Sequence, residues 1–168
     1  MKPKRIVIIG LPGSGKSTFA AKLGQILKIP VHHLDRHMFV ANGKKRDREE
    51  FVAIQKALIE EESWIIEGCS ISTLEMRFAR ADTLIYFHLP RFVCIWRILK
   101  RFFTPDESLC DTGCAKVING KILKYIWNFD KEKREGIEAL RKKYPRVDFI
   151  LFESSQDAAK YLKKSFPL

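Results

Sequence analysis

The segment Gly10-Leu11-Pro12-Gly13-Ser14-Gly15-Lys16-Ser17 constrains this chain more than any other. Its spacing is G-x-x-x-x-G-K-[ST], the P-loop pattern. Before it, Arg5–Gly10 reads Arg-Ile-Val-Ile-Ile-Gly, a continuous apolar run suited to a central parallel strand. After it, Phe19, Leu23, Ile26 and Leu27 recur at helical spacing from Ser17 to Lys28. A glycine turn between strand and helix is the context the motif requires. The glycines let backbone N–H groups curl around phosphate oxygens, and the helix start adds its positive end and its own N–H groups. Lys16 supplies a point charge for β- and γ-phosphates, and Ser17 a hydroxyl for Mg²⁺. Gly10, Leu11, Pro12, Gly13, Ser14, Gly15, Lys16, Ser17 and Thr18 are therefore the expected nucleotide cradle.

Other nucleotide folds fit less well. Asp35 stands where the ribose-binding acid of a dinucleotide fold would be, but that fingerprint needs glycine at position 12, which is proline. The Asn-Lys-x-Asp base-reading motif of a regulatory GTPase is missing. The apolar runs end Leu34-Asp35, Ile66-Glu67 and Phe87-His88, not in the Asp-Glu pair of motor-type ATPases.

Further strands are expected at Val31–Leu34, Trp64–Gly68, Thr83–Leu89 and Val147–Phe152. Helices are expected at Arg48–Glu62, about 72–80, from Phe92 to Phe103, at Ala115–Trp127, at Glu132–Tyr144 and at Gln156–Lys164. Phe51, Ile54 and Leu58 should form the apolar side of the second helix. Phe92, Ile95, Trp96, Leu99 and Phe103 should do so in the fourth, with Arg97, Lys100 and Arg101 on its other face. Residues 36–47 and 104–113 read as loops. This alternation implies a three-layer α/β P-loop fold, with a five-stranded parallel sheet covered on both faces. No linker or repeat divides the chain, so residues 1–168 are expected to be one domain, with a basic helical lid at about 97–134.

Thirty-one Lys and Arg against twenty Asp and Glu give a net charge of +11, which favours an anionic partner. Arg91–Arg146 alone holds fourteen basic and seven acidic residues. Cys110 and Cys114 lack a second Cys or His pair to complete a zinc site, so reduced thiols are expected, Cys69 and Cys94 included. His32, His33 and His37 read as surface or packing residues. No apolar run approaches the ~18–20 residues needed to span a bilayer, so a cytoplasmic protein without membrane partners is expected.

Taken together, the P-loop, His33-Leu34-Asp35, Trp64-Ile65-Ile66-Glu67-Gly68, Ala81-Asp82, Leu89-Pro90-Arg91 and the Arg97/Arg101 pair resemble the adenylate-kinase-related P-loop kinases. Gly113-Cys114 and Tyr125-Ile126-Trp127-Asn128-Phe129 add a more particular likeness, to the bacterial group labelled "topology modulation protein". The resemblance runs from Ile6 to about Ser154. It implies a kinase using ATP and Mg²⁺, with Lys16, Asp35, Arg97 and Arg101 catalytic. Arg97 and Arg101 resemble the arginines that open the lid, one on the nucleotide base and the other on phosphate; Lys131, Lys133 and Arg134 correspond loosely to its second set. Asp35, Glu67 and Arg77 are the expected acceptor-side residues.

The pattern departs from adenylate kinases after the third strand. A Gly-Phe-Pro-Arg type clamp is replaced by Glu67-Gly68-Cys69-Ser70, and the nearest arginine is Arg77. His88 stands where relatives often carry aspartate, which removes one candidate for outer-shell magnesium contacts and leaves Glu67 and Asp35. The acceptor is thus a small molecule, nucleoside or nucleotide not bound to be AMP. Two other functions compete: a nucleic-acid-associated NTP-binding protein or polynucleotide-end kinase, and a nucleotide sensor without catalysis. The nucleic-acid reading calls for exposed aromatic rings among the cations. Trp96, Phe103, Ile122 and Ile126 instead fall at core spacing, so the sequence offers no stacking platform.

Overall fold

Five parallel strands form one sheet in the order β2-β3-β1-β4-β5 in a computed structural model that describes residues 3–38, 40, 44–103 and 120–166. The side chains of residues 102, 103, 121 and 130–132 lie outside that description. The strands are β1 (Arg5–Gly10), β2 (Val31–His33), β3 (Trp64–Glu67), β4 (Thr83–Phe87) and β5 (Asp148–Phe152). Every residue of β3 and β4 is buried, as is β1 beyond Arg5. Near-continuous apolar runs can be satisfied only with both sheet faces covered.

Helices α1 (Lys16–Leu27) and α7 (Ser155–Ser165) share one face. There Phe19 packs edge-on against Phe87 and Phe152 at 5.3 and 5.4 Å, and Tyr161 lies 5.5 Å from Phe152. Helices α4 (Leu74–Arg80) and α6 (Gly120–Lys143) meet on the opposite face, where Phe78 stacks 5.7 Å from Tyr144 and Arg141 lies over Phe149. The three-layer α/β P-loop fold expected from the motif is the fold observed. Among the described residues, no helix is long and apolar enough to cross a membrane.

Four elements differ from the sequence reading. Residues 34–38 form a short helix, α2 (Leu34–Met38), where Leu34 was expected to end β2 and residues 36–47 to form a loop. In α3 (Arg48–Glu60) the buried line is Phe51, Gln55 and Ile59, not Phe51, Ile54 and Leu58. Gln55 is tolerated there because its amide bonds the Phe51 carbonyl and receives Thr73 Oγ1 at 2.9 Å. The two helices expected around residues 128–131 are one, α6, because Ile122, Ile126, Phe129, Ile137 and Leu140 run through the polar stretch as a single helical stripe packed on the core. Finally, α5 (Arg91–Phe103) buries Cys94 and half-buries Ile95 and Ile98, while Phe92, Trp96 and Leu99 face outward. The described part of the expected lid is α5 and α6; Gly113, Cys110 and Cys114 lie outside the described residues.

Candidate active site

The loop between β1 and α1 is shaped by close approach. Gly13 has φ 80°, and a Cβ there would lie 2.5 Å from the Cys94 carbonyl of α5. Only glycine fits that backbone and that gap. Gly15, at φ 93°, differs: a Cβ would meet only Arg97 Nη1, at 3.8 Å, so the space above it is open. No side chain caps α1 at Gly15, and no acid sits in its first turn. Uncapped N–H groups and the positive end of the helix dipole therefore face the loop, an arrangement made for an anion. Leu11, Gly13 and Ser14 are buried, Pro12, Gly15 and Ser17 half-buried, and Thr18 is exposed.

Strand pairing brings a carboxylate under this loop. Ile8 of β1 and His33 of β2 both register with Glu67, the last residue of β3. Glu67 is buried, and its Oε2 accepts from Ser17 Oγ at 3.1 Å and lies 2.9 Å from His33 Nδ1. Its Oε1 stands 3.2 Å from Lys16 Nζ, close enough for ion pairing but without hydrogen-bond geometry to it. Lys16 Nζ also reaches the Leu11 carbonyl at 3.5 Å. Burial pushes the Glu67 carboxyl upward, but the Lys16 ammonium and the His33 contact outweigh it and hold the pKa at about 2. Glu67, expected on the acceptor side or in the outer shell of magnesium, sits against Lys16 and Ser17, the P-loop residues expected to meet phosphate and metal. A hydroxyl and a buried carboxylate oxygen lacking a hydrogen bond form a hard-oxygen donor set, which fits Mg²⁺. His33 was missed as a site residue because its role depends on which strand lies beside β2.

The pH dependence of stability follows from this pair. Glu67 titrates below its ordinary 4.5 in the folded protein, so its ionised form stabilises the fold above that value. The contribution, about 3 kcal/mol in all, disappears as pH falls from about 4.5 through about 2. Urea unfolding should show about 2 kcal/mol of that loss between pH 7 and pH 3. A Glu67→Gln variant should lack this component; an unchanged pH profile would show that Glu67 is not the group responsible.

The other expected residues fall in different places. Leu34 is buried and packs on the β3 end, where a Cβ at Gly68 would lie 2.8 Å from its own Cβ. This sets the start of α2, with half-buried Asp35 in its first turn, beside the carboxyl end of the sheet. Arg77 on α4 is fully buried. It donates from Nη1 to the Gly68 carbonyl at 3.1 Å and from Nη2 to the Ser70 carbonyl at 2.7 Å. Burial lowers its pKa to about 10, against the opposing pull of Cys69 and Glu67. It braces the turn after β3 and presents no surface to an acceptor in this conformation, so the expected anion clamp is not seen there. Arg97 reaches the P-loop, donating from Nη1 to the Ser14 carbonyl at 3.4 Å and from Nη2 to Ser155 Oγ at 2.8 Å. It ties the phosphate loop to the start of α7. Ser155 was not singled out from the sequence, although the capping box of Ser154 and Asp157 beside it marks that helix start. Arg101 lies half-buried one turn beyond Arg97, Lys133 is half-buried and Arg134 exposed; the Lys131 side chain is outside the description.

Strand order, loop and helix define a three-layer P-loop NTPase fold. Solved shikimate kinases share it. That from Acinetobacter baumannii, in complex with shikimate, superposes with a TM-score of 0.64 at 12% identity, covering 96% of this chain and 92% of that one. The enzyme from Bacteroides thetaiotaomicron gives 0.56 at 15% identity, over 99% and 100%. The Aquifex aeolicus enzyme gives 0.52 at 20% identity, over 96% and 92%. No protein-family model and no curated protein matches the chain. The likeness to the topology modulation group therefore rests on the sequence motifs alone.

Proposed function

We propose that this chain is an ATP-dependent phosphotransferase that moves the γ-phosphoryl of ATP to a small-molecule or nucleotide acceptor. The observation that carries the reading is the cluster of Lys16, Ser17 and Glu67 beneath the uncapped start of α1. In this reading Lys16 and the P-loop N–H groups bind the β- and γ-phosphates. Ser17 and Glu67 would hold magnesium, which when bound neutralises charge on those phosphates. Arg97 clamps the nucleotide between the P-loop and α7, Arg101 meets phosphate from the next turn, and Asp35 orients the acceptor hydroxyl. The buried Arg77 removes the nearest candidate for gripping an acceptor monophosphate, which favours a neutral or carboxylate-bearing acceptor over AMP. The shikimate held by the Acinetobacter baumannii structure is an acceptor of that class.

The test is a transfer assay with radiolabelled ATP against shikimate and related hydroxy acids, nucleosides, nucleoside monophosphates and 5′-hydroxyl oligonucleotides. Label on one small molecule is the expected result. Tight ATP binding with no transfer to any acceptor would make the chain a sensor instead. In the same assay, Arg97→Ala should raise the KM for ATP by about 10- to 100-fold, the worth of a hydrogen bond to a charged group. An unchanged KM with a lowered melting temperature would assign Arg97 to fold support.

A further inference from the structure

The outward face of α5 is apolar and uncovered among the described residues. Phe92 is 69% exposed, Trp96 60%, and Trp127 of the neighbouring α6 53%, with Leu99 completing the strip. Phe92 and Trp96 lie one helical turn apart, and the Phe92 ring meets Trp127 edge-on at 6.0 Å. Each indole carries its own cation: Lys100 Nζ lies 5.3 Å from the Trp96 ring centre, and the Arg91 guanidinium 4.9 Å from that of Trp127. No acidic residue occurs in Arg91–Phe103 or between residues 120 and 129. Trp96, read from its spacing as a core residue, is thus one of a set of exposed rings interleaved with cations.

We propose that this face docks single-stranded nucleic acid, with bases stacking on Trp96, Trp127 and Phe92 and phosphates meeting Lys100 and Arg91. Aromatic platforms beside a cationic track are what sequence-tolerant strand binding uses. Lys124, exposed and three residues before Trp127, adds a further cation within the acid-free stretch of α6. Two other occupants fit less well. A second copy of the chain would set Arg91 and Lys100 against their own equivalents with no acid in Arg91–Phe103 or residues 120–129 to pair them. A lipid surface would be offered only a two-turn ridge from Phe92 to Leu99, short for an interfacial helix, and stable anchoring takes a second signal. The face lies on the side of α5 away from Arg97 and the P-loop, so this inference does not depend on the kinase reading.

Intrinsic fluorescence tests it, because Trp64 is fully buried and a ligand-dependent change reports Trp96 and Trp127. Titration with a thymidine oligonucleotide longer than ~16 nucleotides should quench emission, with saturating ATP-Mg present or absent. Trp96→Ala and Trp127→Ala should each weaken binding by about 5- to 150-fold, the worth of one stacked base. Lys100→Gln should flatten the slope of log affinity against log salt by about 0.7. These substitutions lie on the surface, so circular dichroism should show unchanged folding. No quenching, affinity indifferent to the tryptophans, or displacement of the strand by ATP-Mg would each overturn the proposal. So would a response confined to phosphatidylserine vesicles, or a dimer in sedimentation that Trp96→Ala dissociates. Failure of every acceptor in the transfer assay leaves this measurement intact.

Discussion

Lys16→Ala is expected to abolish phosphoryl transfer and, in the same protein, to lower stability. Loss of one preorganised charge at a developing phosphoryl oxygen costs about 10²–10³ in rate or more, and the ground-state contacts to phosphate go with it. From sequence alone, Lys16 reads as a ligand-facing residue whose removal leaves the fold intact. Its burial changes that expectation. Lys16 is 8% exposed and faces Glu67, which is 3% exposed, so truncation strands a carboxylate with half its compensation gone. Breaking a buried pair from one side costs about 3–5 kcal/mol. His33 and Ser17 still contact Oε2, which places the expected loss at the lower end. The two effects separate in a double variant. Adding Glu67→Gln to Lys16→Ala removes the stranded charge, so urea unfolding should recover part of the stability while transfer stays absent. Parental turnover in Lys16→Ala would end the P-loop assignment, and parental stability would show that the ion pair contributes nothing in the free protein.

The division between what could be read from the sequence and what could not follows the range of the interactions. β1, the P-loop and α1 were legible because their signals are local: an apolar run, glycines at fixed offsets and a helical period. The two central strands β3 and β4 were legible for the same reason. The Glu67 cluster was not, because Glu67 meets His33 and Ser17 only through the order β2-β3-β1, in which β3 inserts between strands consecutive in the chain. Arg77 shows a related limit of local reading. Proximity in sequence to the missing clamp suggested a ligand role, whereas its guanidinium turns inward to the carbonyls of Gly68 and Ser70. Periodicity has its own blind spot in α5. It correctly groups Phe92, Trp96 and Leu99 on one face but cannot say whether anything covers that face. In α6 the polar residues around 128–131 looked like a break, yet the stripe from Ile122 to Leu140 kept its phase through them, and core packing outweighs local propensity.

Asp35→Asn is expected to lower phosphoryl transfer by about 10²–10⁴-fold while ATP binding stays close to parental. Two roles compete for this residue, and the structure sharpens the contest. A helix N-cap would explain an aspartate here without any chemistry, and asparagine would serve as well. Asp35, however, is the second residue of α2 rather than the residue before it, which is His33. In the first turn its carboxylate gains the helix-dipole term, about 0.3–1 kcal/mol, which asparagine would forfeit. Position favours chemistry: α2 starts where Leu34 packs against Gly68, at the carboxyl ends of β2 and β3, the edge of an open parallel sheet where ligands bind. A carboxylate there accepts hydrogen bonds only, which suits it to hold an acceptor hydroxyl toward the γ-phosphoryl; the amide of asparagine keeps the shape and loses the basicity. Parallel measurements separate the roles. A fall in kcat with an unchanged Kd for ATP and a melting temperature within a few degrees of parental assigns Asp35 to the transfer step. Parental kcat with a small drop in stability assigns it to the helix, and Glu67, already engaged by Lys16 and Ser17, then becomes the carboxylate to test as the hydroxyl's partner.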